Sequence, residues 1–153
     1  MQVQDENKRL AQRWFEEVWN QGREGAIDEL LCADGVGFGL ADTGTEVHGA
    51  EQLKPFVRNL RDAFPDLHIT IEDMVSENDK VAVRFKVTGS HKGSGLGFPP
   101  TDHKINVTGM TILQISQGKL RHGWNNWDQL GMMQQLRMAS PAVIVDRFLE
   151  ERA

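Results

Sequence analysis

The chain has 153 residues, of which 39% are hydrophobic and 25% charged, and its net charge is -5. This length and composition are typical of one soluble globular domain with a hydrophobic core. The negative charge argues against nucleic acid or an anionic membrane as a partner, because both require a basic face. The single cysteine, Cys32, excludes an internal disulfide and a cysteine-based metal cage.

The N-terminal segment is polar and lacks the apolar core of a signal peptide. No apolar run approaches the roughly 18 residues of a membrane span. We therefore expect a cytoplasmic protein. Cys32 lies beside acidic Glu29 and Asp34. Their negative charges oppose thiolate formation, so we expect an unreactive, partly buried thiol.

The first half of the chain favours helices. Residues 5–20 carry apolar side chains at helical spacing, with Asp5 as the expected N-cap. Residues 25–31 predict a short second helix, and the glycine-rich residues 35–40 a short strand. Residues 49–64 predict a third helix, although Pro55 is unfavourable inside it.

The second half favours strands joined by short turns. The predicted strands cover residues 67–76, 80–91 and 103–116, followed by a hairpin turn at Gln117 and Gly118. Strands joined by short turns are antiparallel. Helices followed by such strands predict an α+β fold, with three N-terminal helices packed on a strongly curved, mostly antiparallel sheet that encloses a cone-shaped cavity.

Two further segments complete the predicted organisation. The loop Lys92–Asp102 is rich in glycine and proline and predicts a mobile lip over a pocket. Ser140 and Pro141 predict the start of a final helix that ends near Glu150. We therefore expect a single domain over residues 1–137 and a C-terminal helical extension over residues 138–153.

Residues 118–136 begin as a strand and end as a helix. In a regular strand alternate side chains point to opposite faces. That alternation predicts one face with Arg121, Asn125 and Trp127, and another with Leu120, His122, Trp124, Asn126 and Asp128. The second face combines an indole, an amide, an imidazole and a carboxylate. This mixture is typical of the wall of a small-molecule pocket.

Several segments resemble the SnoaL-like polyketide cyclases of the nuclear-transport-factor-2-like superfamily. They are WFEEVWNQG, IDELL, AFPDLHITIEDMVSENDKVAVRFKVTGSHKG, FPPTD and ISQGKLRHGWNNWDQLGMMQQL, within residues 10 to 136. The resemblance implies a cone-shaped α+β barrel with one deep pocket, commonly a dimer. It implies no metal and no organic cofactor.

The same resemblance implies roles for individual residues. In the family's cyclases an aspartate just past a tryptophan on the last strand is the general base, and the matching position is Asp128. The histidine of the family's loop motif matches His91. The chain departs from the family at Asp102-His103, where relatives often carry glycine after the loop threonine. It departs again at His122-Gly123, where they often carry an acidic residue before the tryptophan.

The sequence therefore predicts a cofactor-independent cyclase or isomerase acting on a small hydrophobic carbonyl compound. Asp128 would remove a proton next to the carbonyl group, and the enolate would close a ring by intramolecular aldol addition. His91 and His122 are candidate catalytic groups that could donate a hydrogen bond to the enolate oxygen. The predicted substrate-binding residues are Trp124, Asn126, Met110, Trp14 and Phe38.

Each assignment has an alternative. Asp128 could cap the helix that follows it, His122 could be an exposed hairpin residue, and His91 could be a structural histidine. On the same pocket the protein could be a hydrolase or dehydratase, or a non-catalytic small-molecule-binding module. The sequence offers no close histidine pair for a metal site and no complete phosphate-binding loop. We also expect a homodimer, because the back of the sheet would expose Trp127.

Overall fold

The computed structural model describes residues 2–40 and 46–138. Its helices are α1 (Val3–Arg13), a π-helical continuation (Trp14–Asn20), α2 (Glu24–Leu30), α3 (Gly49–Ala63) and α4 (Gln129–Gln135). Its strands are β1 (Leu31–Phe38), β2 (Val47–His48), β3 (His68–Glu77), β4 (Lys80–Ser90), β5 (Lys104–Ser116) and β6 (Lys119–Trp127). The predicted α+β class is confirmed. The predicted final helix lies outside the described residues.

The strands form one curved, mixed sheet in the order β2-β1-β6-β5-β4-β3. All neighbouring pairs are antiparallel except β1 and β6, which run parallel. The sheet remains open, so the molecule is an open cone rather than a closed barrel. The concave face carries most of the buried side chains, and the helices of the first half cover it.

The first helix begins at Val3, with Gln2 rather than Asp5 at its N-cap. Its second half widens into a π-helix from Trp14 to Asn20, which turns Trp14, Phe15, Val18 and Trp19 into the core together. Phe15 packs on Phe85 of β4, with ring centroids 5.4 Å apart. The aromatic residues of this helix therefore fix it against the concave face of the sheet.

Two β-bulges break the regular alternation of the sheet. On β3 the register shifts between Ile71 and Asp73, which leaves Glu72 as the extra residue. On β6, Leu120 pairs with Ile115 and His122 pairs with Gln114, which leaves Arg121 unpaired. An extra residue in one strand reverses which face every later side chain occupies. The side chains of β3 beyond Ile71 therefore lie on the faces opposite to those of a regular strand, and Val75 is 64% exposed on the convex face.

Within the described residues, no helix is long and apolar enough to cross a membrane.

Candidate functional site

A cavity of about 90 Å³ lies between the helices and the concave face of the sheet. Its walls are mainly apolar, with contributions from the π-helix, α3, β1 and the inner faces of β4, β5 and β6. Trp14, one of the predicted binding residues, is buried and lines this cavity. Such a cavity suits a small, mostly apolar molecule.

The bulge at Arg121 decides which part of β6 faces the cavity. After the bulge, Gly123 pairs with buried Leu113, Asn125 with buried Thr111, and Trp127 with Gly109. All three of these β6 residues line the cavity. The face predicted for residues 122–128 is therefore wrong, because the prediction assumed a regular strand. Gly123 was the available signal, since a glycine inside a strand pattern often accompanies a bulge.

Asn125 is the cavity residue that sequence reasoning missed. Its side-chain Nδ2 donates hydrogen bonds to the carbonyl oxygens of Phe38, at 2.9 Å, and Gly123, at 3.2 Å. The opposite amide orientation would direct Oδ1 at two carbonyl oxygens, so these bonds assign the amide and leave Oδ1 as an acceptor without a donor among the described residues. The cavity wall therefore contains an oriented neutral acceptor.

The neighbouring backbone supports this geometry. Gly39 follows the last residue of β1 and has a φ of 73°. A Cβ atom at Gly39 would collide with the backbone carbonyl of Asn125. The close approach of β1 to β6, which brings the Phe38 carbonyl to the amide, therefore depends on glycine at this position.

Asp128 lies on the convex side of the sheet. Its Oδ1 accepts a hydrogen bond from the backbone N–H of Gly131 at 2.8 Å and so caps α4. The residue is exposed and borders a shallow outer depression together with Arg84, Thr108, Met110 and Asn126. It does not line the cavity. The prediction that Asp128 faces the pocket is wrong, and its N-cap alternative describes its observed contact.

Four predicted binding residues also face outward. Met110 is 55% exposed, Trp124 is 38% exposed, and Asn126 is exposed. Phe38 stacks on Trp124 with ring centroids 5.9 Å apart and planes within 8°. None of the four lines the cavity. The bulge turned Trp124 and Asn126 outward, and Met110 and Phe38 lie beside them on the same face.

His122 lies at the edge of the cavity, directly after the bulge. Its Nδ1 is 3.0 Å from Oε1 of Gln114, and its ring packs against Phe38 and Trp124. The imidazole is thus engaged with side chains of the convex face. His122 is half-buried, so the alternative of an exposed hairpin residue does not describe it either.

His91 is fully buried directly after β4, but it does not line the cavity. Its ring lies between Phe64 and Phe98, and its Nδ1 accepts a hydrogen bond from the Thr101 N–H at 3.0 Å. Nε2 is buried without a hydrogen-bond partner among the described residues. Burial lowers the pKa of His91 and favours the neutral ring.

The loop 92–102 packs on the end of α3 instead of covering the cavity. A Cβ at Gly93 or Gly95 would collide with the backbone carbonyls of Asp62 or Asn59. No residue of this loop lines the cavity. The prediction of a lip over the pocket is therefore wrong. The glycines permit close packing against a helix. The hydrogen bond from the Thr101 N–H to Nδ1 of His91 holds the end of the loop in place.

Few ionisable groups reach the cavity. Arg121 borders it, but its guanidinium is nearly half exposed and lies 3.4 Å from Asp34. Among the described lining residues there is no aspartate or glutamate. No group of three histidine, cysteine, aspartate or glutamate side chains within residues 2–40 and 46–138 is arranged to hold a metal ion. The described wall is thus mainly apolar, with the amide of Asn125 in it and the side chains of Arg121 and His122 at its edge.

Comparison with known proteins places this geometry in a family. The family model for SnoaL-like polyketide cyclases matches residues 9–136. A candidate polyketide cyclase from Bacillus cereus is 30% identical, with 88% of this chain and 83% of that chain covered and a TM-score of 0.74. A candidate polyketide cyclase from Acidithiobacillus ferrooxidans is 29% identical, with 92% and 100% covered and a TM-score of 0.74.

The fold itself has a closer geometric match. A candidate SnoaL-like polyketide cyclase from Jannaschia sp. CCS1 superimposes with a TM-score of 0.82, at 24% identity, over 92% of this chain and 97% of that chain. No curated protein matches the chain significantly. The family match covers most of the sequence and agrees with the helices, the curved sheet and the cavity. The chain belongs to the SnoaL-like polyketide cyclase family.

Proposed function

We propose that this protein binds a small, mostly apolar carbonyl compound in the cavity and closes a ring within it, as a cyclase. The observation that carries the proposal is an apolar cavity with the oriented amide of Asn125 in its wall. Family membership supports ring closure as the reaction, because relatives are candidate polyketide cyclases.

An apolar cavity can promote ring closure by holding a flexible chain folded. When the cavity holds two reacting carbon atoms of one molecule near each other, the free energy of binding offsets the conformational entropy that is lost in bringing them together. The reaction joins an enol or enolate carbon to a carbonyl carbon, and a proton from solvent or the enol hydroxyl reaches the new alkoxide. Ring closure of this kind requires shape and hydrogen bonding from the wall. Proton removal is not assigned to Asp128, because its carboxylate lies outside the cavity.

A non-catalytic binding protein is the second candidate. It is favoured by one observation, which is that the described cavity wall lacks a carboxylate that could remove a proton from carbon. A hydrolase has less support, because the guanidinium of Arg121 is directed to Asp34 at the rim. Binding without turnover would distinguish this candidate from the cyclase.

The first test measures thermal stability with β-keto esters, polyketide-like aromatic compounds and enones. A ligand at about a hundred times its dissociation constant stabilises the folded state by about 2.7 kcal/mol. The matched variant is Gly123→Val, since a Cβ at Gly123 would lie 3.4 Å from Leu113, an ordinary contact, and the added methyl groups would occupy the cavity.

We expect a ligand to stabilise the wild type and not Gly123→Val, and turnover of that ligand to a ring product. Binding without a product would leave only the second candidate. Equal stabilisation of the wild type and Gly123→Val would contradict binding in this cavity.

A further inference from the structure

Asn125 contributes a side-chain amide of fixed orientation to the described cavity wall. Both hydrogens of its amide are used by the Phe38 and Gly123 carbonyls, so the side chain has no donor left for a ligand. Its remaining capacity is acceptance by Oδ1. Hydrogen-bond acceptors such as ethers, bare carbonyl groups and carboxylates cannot satisfy this atom, whereas a hydroxyl group can.

We infer that Asn125 makes the cavity select a neutral molecule that presents a hydroxyl group, as a phenol or an enol, at Oδ1. The inference rests on the proposed function and names the chemical class of its ligand. An enol is the nucleophilic form of a carbonyl compound, and a phenol is the form that an aromatic ring product takes. One acceptor could therefore bind the reactive tautomer and the product by the same contact.

The apolar surroundings strengthen this selection. An acceptor inside an apolar cavity gains more from a partner than one in water does, and a mismatched polar ligand leaves buried groups unpaired. A carboxylate ligand would in addition lose its hydration without gaining a donor from Asn125. Arg121, which borders the cavity, is already directed to Asp34 at the rim. The cavity therefore disfavours both charged ligands and ligands that lack a hydrogen-bond donor.

The test uses three single-ring ligands that differ at one group: 4-propylphenol, 4-propylanisole and 4-propylbenzoate. Their dissociation constants are measured by calorimetry for the wild type, Asn125→Leu and Asn106→Leu. Asn106 is a matched control because it lies exposed on β5, and its described hydrogen bonds use only its backbone.

We expect the wild type and Asn106→Leu to prefer the phenol over its methyl ether and to reject the benzoate. In Asn125→Leu the dissociation constants of the ether and the phenol should differ about tenfold less than in the wild type, because one hydrogen bond is lost. An unchanged ratio in Asn125→Leu would overturn the inference and leave the proposed function intact. Failure of all three ligands to bind the wild type would overturn both.

The wild type alone provides a second criterion in case Asn125→Leu does not fold. If the wild type binds the benzoate as tightly as the phenol, Oδ1 is not a selective acceptor and the inference fails. If it binds the phenol and excludes the benzoate while the ether binds more weakly than the phenol, the inference is supported without any variant.

Discussion

Asn125 and Asp128 lie three positions apart at the end of β6, and their side chains occupy opposite sides of the sheet. Asn125 lines the cavity and donates to the Phe38 carbonyl, whereas Asp128 caps α4 from the convex side. An odd separation along a strand puts two side chains on opposite faces, and the bulge at Arg121 decides that Asn125 is the one that faces the cavity. The residue that follows Trp124 and faces the cavity is therefore an asparagine, Asn125, and not an aspartate.

The cap assigned to Asp128 predicts a stability effect without a binding effect. Replacement by alanine removes the acceptor for the Gly131 N–H and should lower the free energy of unfolding by about 1 kcal/mol. Asparagine is an equally good N-cap, so Asp128→Asn should change it far less. Urea denaturation of both variants measures the difference. Loss of turnover in Asp128→Asn, with binding retained, would restore the carboxylate as the base.

The buried ring of His91 predicts a loss of stability in weakly acidic solution. Its pKa is lowered by burial, so the unfolded chain binds more protons than the folded one near pH 6. The contribution is therefore constant above about pH 6.5 and declines as the pH falls below that value. Protonation would also remove the acceptor for the Thr101 N–H.

The groups around His91 allow this effect to be isolated. Asp102 interacts with Lys92, and Asp66 accepts from Ser90; both carboxyl pKa values are lowered, so these groups titrate at more acidic pH. The backbone N–H of His91 donates to the carbonyl of His103, and Asp62 lies on α3 beneath the loop. Denaturation from pH 5 to pH 7.5 should show a steeper decline for the wild type than for His91→Gln. Equal slopes would refute the assignment.

An acid introduced at position 125 tests the environment of the amide. In Asn125→Asp the new carboxyl would face the carbonyl oxygens that now accept from Nδ2, so its pKa should be raised. A raised carboxyl pKa means that the variant loses stability, relative to the wild type, as the pH rises above about 4. Unfolding measured at pH 4.5 and pH 7.5 gives the comparison. A difference of the same size at both values would contradict the described contacts.

We propose that the convex face pairs with a second copy of the chain. Register across five strands places one apolar row on it: Val75, Ala82, Ile112, Trp124 and Phe38. Val75, Ile112 and Trp124 are each more than a third exposed. Such rows usually find a partner. The residue expected to be exposed, Trp127, instead faces the cavity and donates to the Leu40 carbonyl.

Light scattering at micromolar concentration should find a dimer for the wild type and a monomer for Trp124→Glu. Val3→Glu is the matched control, because Val3 is 65% exposed on α1, which packs on the sheet from the concave side. A monomeric wild type would refute the dimer. A dimer that survives Trp124→Glu would place the interface elsewhere.

The sequence predicted the fold class and most element boundaries, because helical and alternating patterns depend on local spacing. Residues 49–64 and 80–91, for example, match α3 and β4 to within one residue. The sequence prediction misplaced the wall of the cavity, because counting alternate residues assumes a strand without an inserted residue. One bulge at Arg121 exchanged Asn126 for Asn125 and Trp124 for Trp127. The pairing of β6 with β5 establishes that exchange, and Gly123 was its one signal in the sequence.

The most direct test of the account is a crystal structure of the protein soaked with 4-propylphenol. We expect the ring inside the cavity, with its hydroxyl oxygen about 2.8 Å from Oδ1 of Asn125. A ligand bound in the outer depression beside Asp128, with the cavity empty, would contradict it and return the site to the convex face.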